Sequence, residues 1–455
     1  MPFTTHNPTT GESLAEYPET TGAEAAAATE RASLAQEAWR ETGFAERGGY
    51  LLRLADAMEA DQSELAALAA REMGKPVAEA RGEIKKCALL ARHAAGHAAV
   101  YLADEPVATE ARASYIRYEP LGVILAIMPW NFPYWQICRC AFPALMAGNA
   151  VLVKPAPETI GCAERLQQLA HDAGWPEHLM QTVLTSNDTT AEIIRHPAVH
   201  GVALTGSTEA GRAVGAVAGA ALKPVVLELG GSDPYLILAD ADLEAAVEAT
   251  VASRMIAGGQ CCVSAKRLVV ERPVAANFER LVVEKMRESR MGDPLEEEVT
   301  LGPLARADLR DHLHQQVQAS LAAGAQLLLG GQIPDGAGYF YPATVVAGVL
   351  PGMPLFEEET FGPVAAITEA EDAEHAIALA NQTAHGLGAG VFTRDVERGR
   401  EIAARRLQAG AVAVNTFVKS DPRLPFGGIG ASGHGRELGA LGMREFCNAK
   451  SVWVS

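Results

Sequence analysis

Two adjacent thiols, Cys261 and Cys262, stand in the run Gly258-Gly-Gln-Cys-Cys-Val-Ser264. A thiol set among glycines and small polar residues can attack an electrophilic carbon as its thiolate. With a pKa of about 8.5, only roughly 3% of a free thiol is ionised at pH 7, so its surroundings must help. A pair of buried, inert cysteines is the competing reading, and the flanking glycines weigh against it. Further polar residues fall where apolar runs end. Asn131 follows VILAIM, Lys154 closes AVLVK, Thr205-Gly206 closes GVALTG, and Glu228 closes VVLEL. Alone, Lys154 reads as a solvated lysine and Glu228 as a carboxylate paired to a cation.

The elements that would hold these groups follow from periodicity. LEAAVEATVASRMI at 243–256 has helical spacing and RLVVE at 267–271 reads as a strand, so the thiols sit on a helix-to-strand loop. Residues 24–101 are Ala-rich and predict three or four helices, broken near Gly74-Lys75-Pro76. The stretch 103–120 reads as an excursion shaped as a hairpin. Strand and helix then alternate: VILAIM, helix 134–147, AVLVK, helix 159–173, GVALTG, helix 208–220, VVLEL. This rhythm predicts a parallel sheet covered on both faces, with ligands beyond the C-terminal strand ends. A second series starts at Pro234–Leu238. It continues through the thiol loop, helices 275–289 and 305–323, strand 326–329, a strand–helix unit near 364–381, and VAVN ending at Asn415. The tail SVWV at 451–454 is a short apolar strand with no partner near it in sequence. Without repeats or low-complexity linkers, the domains are expected to interleave.

Composition narrows the function. A chain of 455 residues calls for two or three domains, and its 48% hydrophobic content is ordinary for a globular protein. The net charge of −18 argues against nucleic acid and anionic membranes as partners. No apolar run is long enough to span a bilayer, and the N-terminus reads as no signal peptide. Seven scattered cysteines (Cys87, Cys138, Cys140, Cys162, Cys261, Cys262 and Cys447) suggest free thiols in a reducing cytoplasm. Metal is not expected, because Cys138-x-Cys140 lacks metal-site spacing and His312 and His314 read as solvated.

Thr205-Gly-Ser-Thr-Glu-Ala-Gly211 adds a phosphate signal, since Gly206 admits close backbone approach and the helix N-terminus that follows favours negative charge. The usual G-x-G-x-x-G fingerprint is absent. Together the motifs resemble the aldehyde dehydrogenase superfamily over nearly the whole chain. They are Pro129-Trp-Asn-Phe-Pro133, Lys154-Pro-Ala156, Thr205-Gly-Ser207, Glu228-Leu-Gly-Gly231, Gly259-Gln-Cys-Cys262, Glu359-Thr-Phe-Gly-Pro363 and Pro425-Phe-Gly-Gly428. The resemblance implies an α/β fold with a doubly wound coenzyme domain, an α/β catalytic domain and a small β oligomerisation arm. It assigns residues 1–102 and 121–230 to the first, 231–425 to the second, and 103–120 with 440–455 to the arm of a homodimer or homotetramer. It further implies NAD or NADP as coenzyme and an aldehyde as substrate. Cys262 would be the nucleophile, Glu228 the base that activates water, and Asn131 an oxyanion donor. Trp130, Lys154, Gly206, Ser207, Glu359 and Phe361 would contact the coenzyme.

Within that superfamily the chain is most similar to the bacterial succinate-semialdehyde dehydrogenase branch, through the Ala-Pro after Lys154-Pro155 and the stretch GALGMREFCNAKSVW at 439–453. That likeness implies that Arg139 and Ser420 bind a substrate carboxylate, with Arg139 on a helix lining the access channel. Four positions depart from or vary within the pattern. Ala257 stands where the family commonly has Asn, and Ile256 where some members carry a second Arg. Pro157 stands where NAD-preferring members often have Glu, with Glu158 displaced by one. Cys261 is a variable position, either a bystander or an oxidation partner. The alternatives are the same mechanism on another aliphatic aldehyde, a CoA-acylating enzyme, and a catalytically silent binding protein. Retained Glu228 disfavours the second, and the joint presence of Cys262, Glu228 and Asn131 disfavours the third.

Overall fold

The computed structural model describes residues 2–455. The Ala-rich N-terminal quarter forms four helices, Gly22–Trp39, Phe44–Ala60, Gln62–Met73 and Val77–Tyr101. The first opens with a capping box between Thr21 and Glu24. The break falls at Gly74, whose φ of +79° and close approach to the Pro303 carbonyl (2.5 Å from an added Cβ) both exclude a side chain. An N-terminal hairpin, Phe3–His6 with Ser13–Tyr17, precedes these helices and was not anticipated from the sequence.

The first sheet has six strands. Their order is Gly433–His434, Val225–Glu228, Val199–Thr205, Val123–Ile127, Ala150–Lys154 and Met180–Thr182. All pair in parallel except the short Gly433–His434 edge, which returns from far along the chain. Val123, Ile124, Leu125 and Ala126 are all fully buried, as a parallel strand covered on both faces requires. Helix Trp135–Ala147 follows the central strand, and each of its 13 residues is buried. Parallel crossovers bring the C-terminal ends of these strands to one rim, where Asn131, Lys154, Thr205 and Glu228 gather.

The second sheet has seven strands, ordered Gln326–Leu329, Thr344–Ala347, Val364–Ala370, Arg267–Glu271, Pro234–Ile237, Gly388–Phe392 and Ala411–Val414. Only the Gln326–Leu329 edge is antiparallel. The helix expected at 275–289 runs from Arg272 to Met286, because Pro273 fits the first helical turn.

The third sheet joins Glu105–Pro106, Ala113–Pro120 and Cys447–Val454. The tail finds its partner here, in unbroken antiparallel register from Cys447 opposite Pro120 to Val454 opposite Ala113. Residues Gly439–Arg444 are a helix, so only the last part of 440–455 is strand. Among the described residues no helix is long and apolar enough to cross a membrane.

Candidate active site

The thiol loop is held from three sides. Helix Leu243–Met255 ends in a tight turn, Ile256–Gly259, in which Ala257 and Gly258 have φ of 52° and 63°. Gly259 follows at φ +78°, and a Cβ there would lie 2.1 Å from the Gly362 carbonyl oxygen. Buried Arg254 clamps that contact, donating to the carbonyls of Gly259 (2.5 Å) and Gly362 (2.7 Å). Gln260 is the hub. Its side chain donates to Ala257 O (3.0 Å) and accepts from Ala305 N–H (2.9 Å), while its carbonyl accepts from Asn131 Nδ2 (2.9 Å). The amide of Asn131 is thereby oriented, with its second N–H left for another acceptor.

The departure at 257 has a backbone reading. The position is left-handed, a conformation that Asn tolerates better than Ala. Glu79, accepting the Ala257 N–H at 2.7 Å, helps hold it there. Ala257→Gly should therefore stabilise the protein by about 0.5–1 kcal/mol, read as a higher denaturant midpoint. An unchanged or lower midpoint would mean that the turn carries no strain.

Cys262 is half-buried and lines a cavity of about 340 Å³ together with Asn131, Glu228, Gly206, Glu359 and Phe361, whereas Cys261 is buried. The two adjacent thiols ionise as a coupled pair, so the first proton lost belongs to both. Arg139 and Lys266 both favour the thiolate at Cys262. Exposure separates the two: Cys262 is the thiol at the cavity.

Glu228 ends its strand facing the same cavity, with its carboxyl 2% exposed. Burial pushes its pKa up to about 8, although Arg139 Nη2 lies 3.7 Å from Oε2. Arg139 lies beside this carboxylate. Its guanidinium is also 2% exposed, is paired to Glu437, donates to Thr205 Oγ1 (3.2 Å) and stacks over Phe426 (4.9 Å). Arg139 is not among the residues lining the cavity, and its polar partners are Glu228, Glu437 and Thr205. A helix buried on every face cannot line a channel with each of its side chains, and Arg139 points to the carboxylates instead. One guanidinium shared by two buried carboxyls leaves one of them easily protonated. Arg139→Met should therefore raise the Glu228 pKa by about one unit or more. Turnover at pH 7 would then fall roughly tenfold on charged and uncharged aldehydes alike. A loss confined to carboxylate-bearing aldehydes would return Arg139 to the substrate.

On the coenzyme side, Gly206 and Ser207 line the cavity at the start of helix Thr208–Ala220, which Ser207 caps by accepting from Ala210 N–H (3.1 Å). A Cβ at Gly206 would meet nothing closer than 3.7 Å, so protein packing does not require glycine there. The space left open at a helix N-terminus suits a phosphate. Trp130 and Phe361 meet edge to face (5.7 Å) on the cavity wall. Glu359 accepts from Gly231 N–H (3.0 Å) and Lys266 Nζ (2.8 Å). Lys154 is half-buried at its strand end, its ammonium pKa lowered by burial. Glu158 is tied to Arg306 (2.9 Å), which takes up its charge.

Lys266 is the residue that sequence reading missed. Its buried ammonium donates to the carbonyls of Gly231 (2.5 Å) and Cys262 (2.6 Å) as well as to Glu359, joining the thiol loop to both coenzyme-side segments. Its position four residues after Cys262, next to an apolar strand, was the available signal.

A doubly wound sheet with a ligand cavity at its C-terminal rim, abutting a second α/β sheet that presents a thiol, is the architecture of a nucleotide-dependent oxidoreductase. The chain belongs to the aldehyde dehydrogenase family, whose profile (Aldehyde dehydrogenase family) matches residues 1–452. It is 48% identical to succinate semialdehyde dehydrogenase [NAD(P)+] Sad of Escherichia coli K12, over 98% of this chain and 96% of that protein. It is 44% identical to succinate-semialdehyde dehydrogenase [NADP(+)] 1 of Mycobacterium bovis BCG, over the full length of both. The crystal structure of succinic semialdehyde dehydrogenase from Streptococcus pyogenes in complex with NADP+ superimposes with a TM-score of 0.97 at 34% identity, covering 99% of each chain.

Proposed function

We propose that this aldehyde dehydrogenase oxidises succinic semialdehyde to succinate with NAD+ or NADP+ through a covalent intermediate on Cys262. The observation that carries the reading is the convergence of Cys262, Asn131 and Glu228 on one cavity whose far end is a helix N-terminus. The names borne by full-length relatives supply the substrate. The Cys262 thiolate adds to the aldehyde carbon, and the free N–H of the Asn131 amide with the Cys262 backbone N–H holds the resulting oxyanion. Each such donor is worth roughly 3 kcal/mol of barrier. When bound, the nicotinamide supplies the hydride acceptor. Departure of the hydride from the tetrahedral carbon leaves an acyl thioester on Cys262. Glu228 takes a proton from water as that water attacks the thioester, releasing the acid and the thiol.

Residues 1–102 and 121–230 serve as the coenzyme domain, with Trp130, Lys154, Gly206, Ser207, Glu359 and Phe361 holding the coenzyme, and 231–425 as the catalytic domain. Acceptance of both coenzymes is supported by Pro157 and by the pairing of Glu158 with Arg306, which mutes the charge that would repel a 2′-phosphate. The three-stranded arm leaves Cys447–Val454 as an edge strand with Trp453 64% exposed, a surface suited to a second copy in a homodimer or homotetramer. Seven free cysteines suit the reducing cytoplasm.

The test is initial rates on succinic semialdehyde and acetaldehyde with each coenzyme. Preference for the semialdehyde supports the reading. Preference for acetaldehyde would assign the same chemistry to another aliphatic aldehyde.

A further inference from the structure

A second cavity, of about 580 Å³, is lined by neighbours of the catalytic residues in the chain. Phe132, the neighbour of Asn131, lines it, and so does Ile256, in the turn that carries the thiols. Trp135 and Phe417 complete its apolar wall, and Lys86 enters it from helix Val77–Tyr101. The Lys86 ammonium sits over the face of Trp135 (4.0 Å from the ring centroid) and donates to Ser420 Oγ at 2.7 Å.

Among the described residues no carboxylate pairs with Lys86, because every acid on the cavity wall has other contacts. Glu83 is paired to Lys75 and accepts from the N–H groups of Tyr134 and Trp135. Glu79 accepts from Ala257 N–H, and Glu248 and Glu288 both pair with Lys285. Burial, with Arg139 nearby, lowers the Lys86 pKa to about 8, outweighing the favourable influence of Glu83.

We propose that Lys86, steadied by Ser420 and Trp135, is the cation that binds the distal carboxylate of the semialdehyde. The assignment rests on the substrate proposed above. Sequence reading gave this role to Arg139, whose guanidinium is engaged with Glu437 and Glu228. Phe132 and Ile256 offer apolar surface to the methylenes between carbonyl and carboxylate. A lysine held by one hydroxyl and one ring face retains donors for a carboxylate.

Initial rates of the wild type, Lys86→Met and Lys86→Arg on succinic semialdehyde and butanal test this. The two substrates share a four-carbon chain and differ in the terminal charge. Lys86→Met should lower kcat/KM on the semialdehyde roughly ten- to a hundredfold, mainly through KM, and on butanal less than about threefold. Lys86→Arg should restore most of the semialdehyde efficiency. Equal losses on both aldehydes, or a semialdehyde preference that survives in folded Lys86→Met, would overturn the assignment. Wild type indifferent between the two aldehydes would overturn the proposed substrate instead. Should Lys86→Met not fold, Lys86→Gln carries the same comparison.

Discussion

Cys262→Ser should abolish aldehyde-dependent NAD(P)H formation, by more than roughly a thousandfold, while Cys261→Ser keeps most of it. A serine hydroxyl is barely ionised at neutral pH, and only position 262 combines a thiol with the cavity that holds Asn131 and Glu228. Activity surviving in Cys262→Ser and lost in Cys261→Ser would place the nucleophile at the buried position.

Glu228→Gln should convert steady turnover into a burst. The amide cannot accept a proton from water, so hydride loss proceeds and the thioester persists. One equivalent of NAD(P)H per site should form rapidly, followed by turnover slower by a factor of about a hundred or more, with acyl-enzyme visible by mass spectrometry. The pH dependence follows from the raised pKa of about 8. Below it the carboxyl is protonated and cannot act as a base, with roughly a tenth ionised at pH 7. Deacylation should therefore rise about tenfold per pH unit below 8 and level off above it, and this limb should vanish in Glu228→Gln. Full steady-state activity in that variant would remove Glu228 from the mechanism.

Several elements were legible because their local pattern and their tertiary environment agree. Helix 208–220 and strand 326–329 stand where periodicity placed them, since their turn and cap residues mark both ends. The parallel arrangement of VILAIM, AVLVK, GVALTG and VVLEL followed from unbroken apolar runs alternating with helices. Short strands such as Thr344–Ala347 and Gly388–Phe392 were not marked out, because four or five small residues between loops carry little period.

The sequence by itself determined the chemistry on offer: a thiol between glycines, a carboxylate and an amide at strand ends, and a glycine opening a helix. These are local signals, spelled within a few residues and repeated in family order. Only the tertiary structure decided what each charge faces. Arg139 and Glu437, like Lys86 and Ser420, meet across about three hundred residues of chain. The helix that bears Arg139 is buried on all sides, so no amphipathic stripe marks which way that side chain points. Burial raises the Glu228 pKa and lowers that of Lys86, and burial belongs to the packed sheets and not to any segment of the chain.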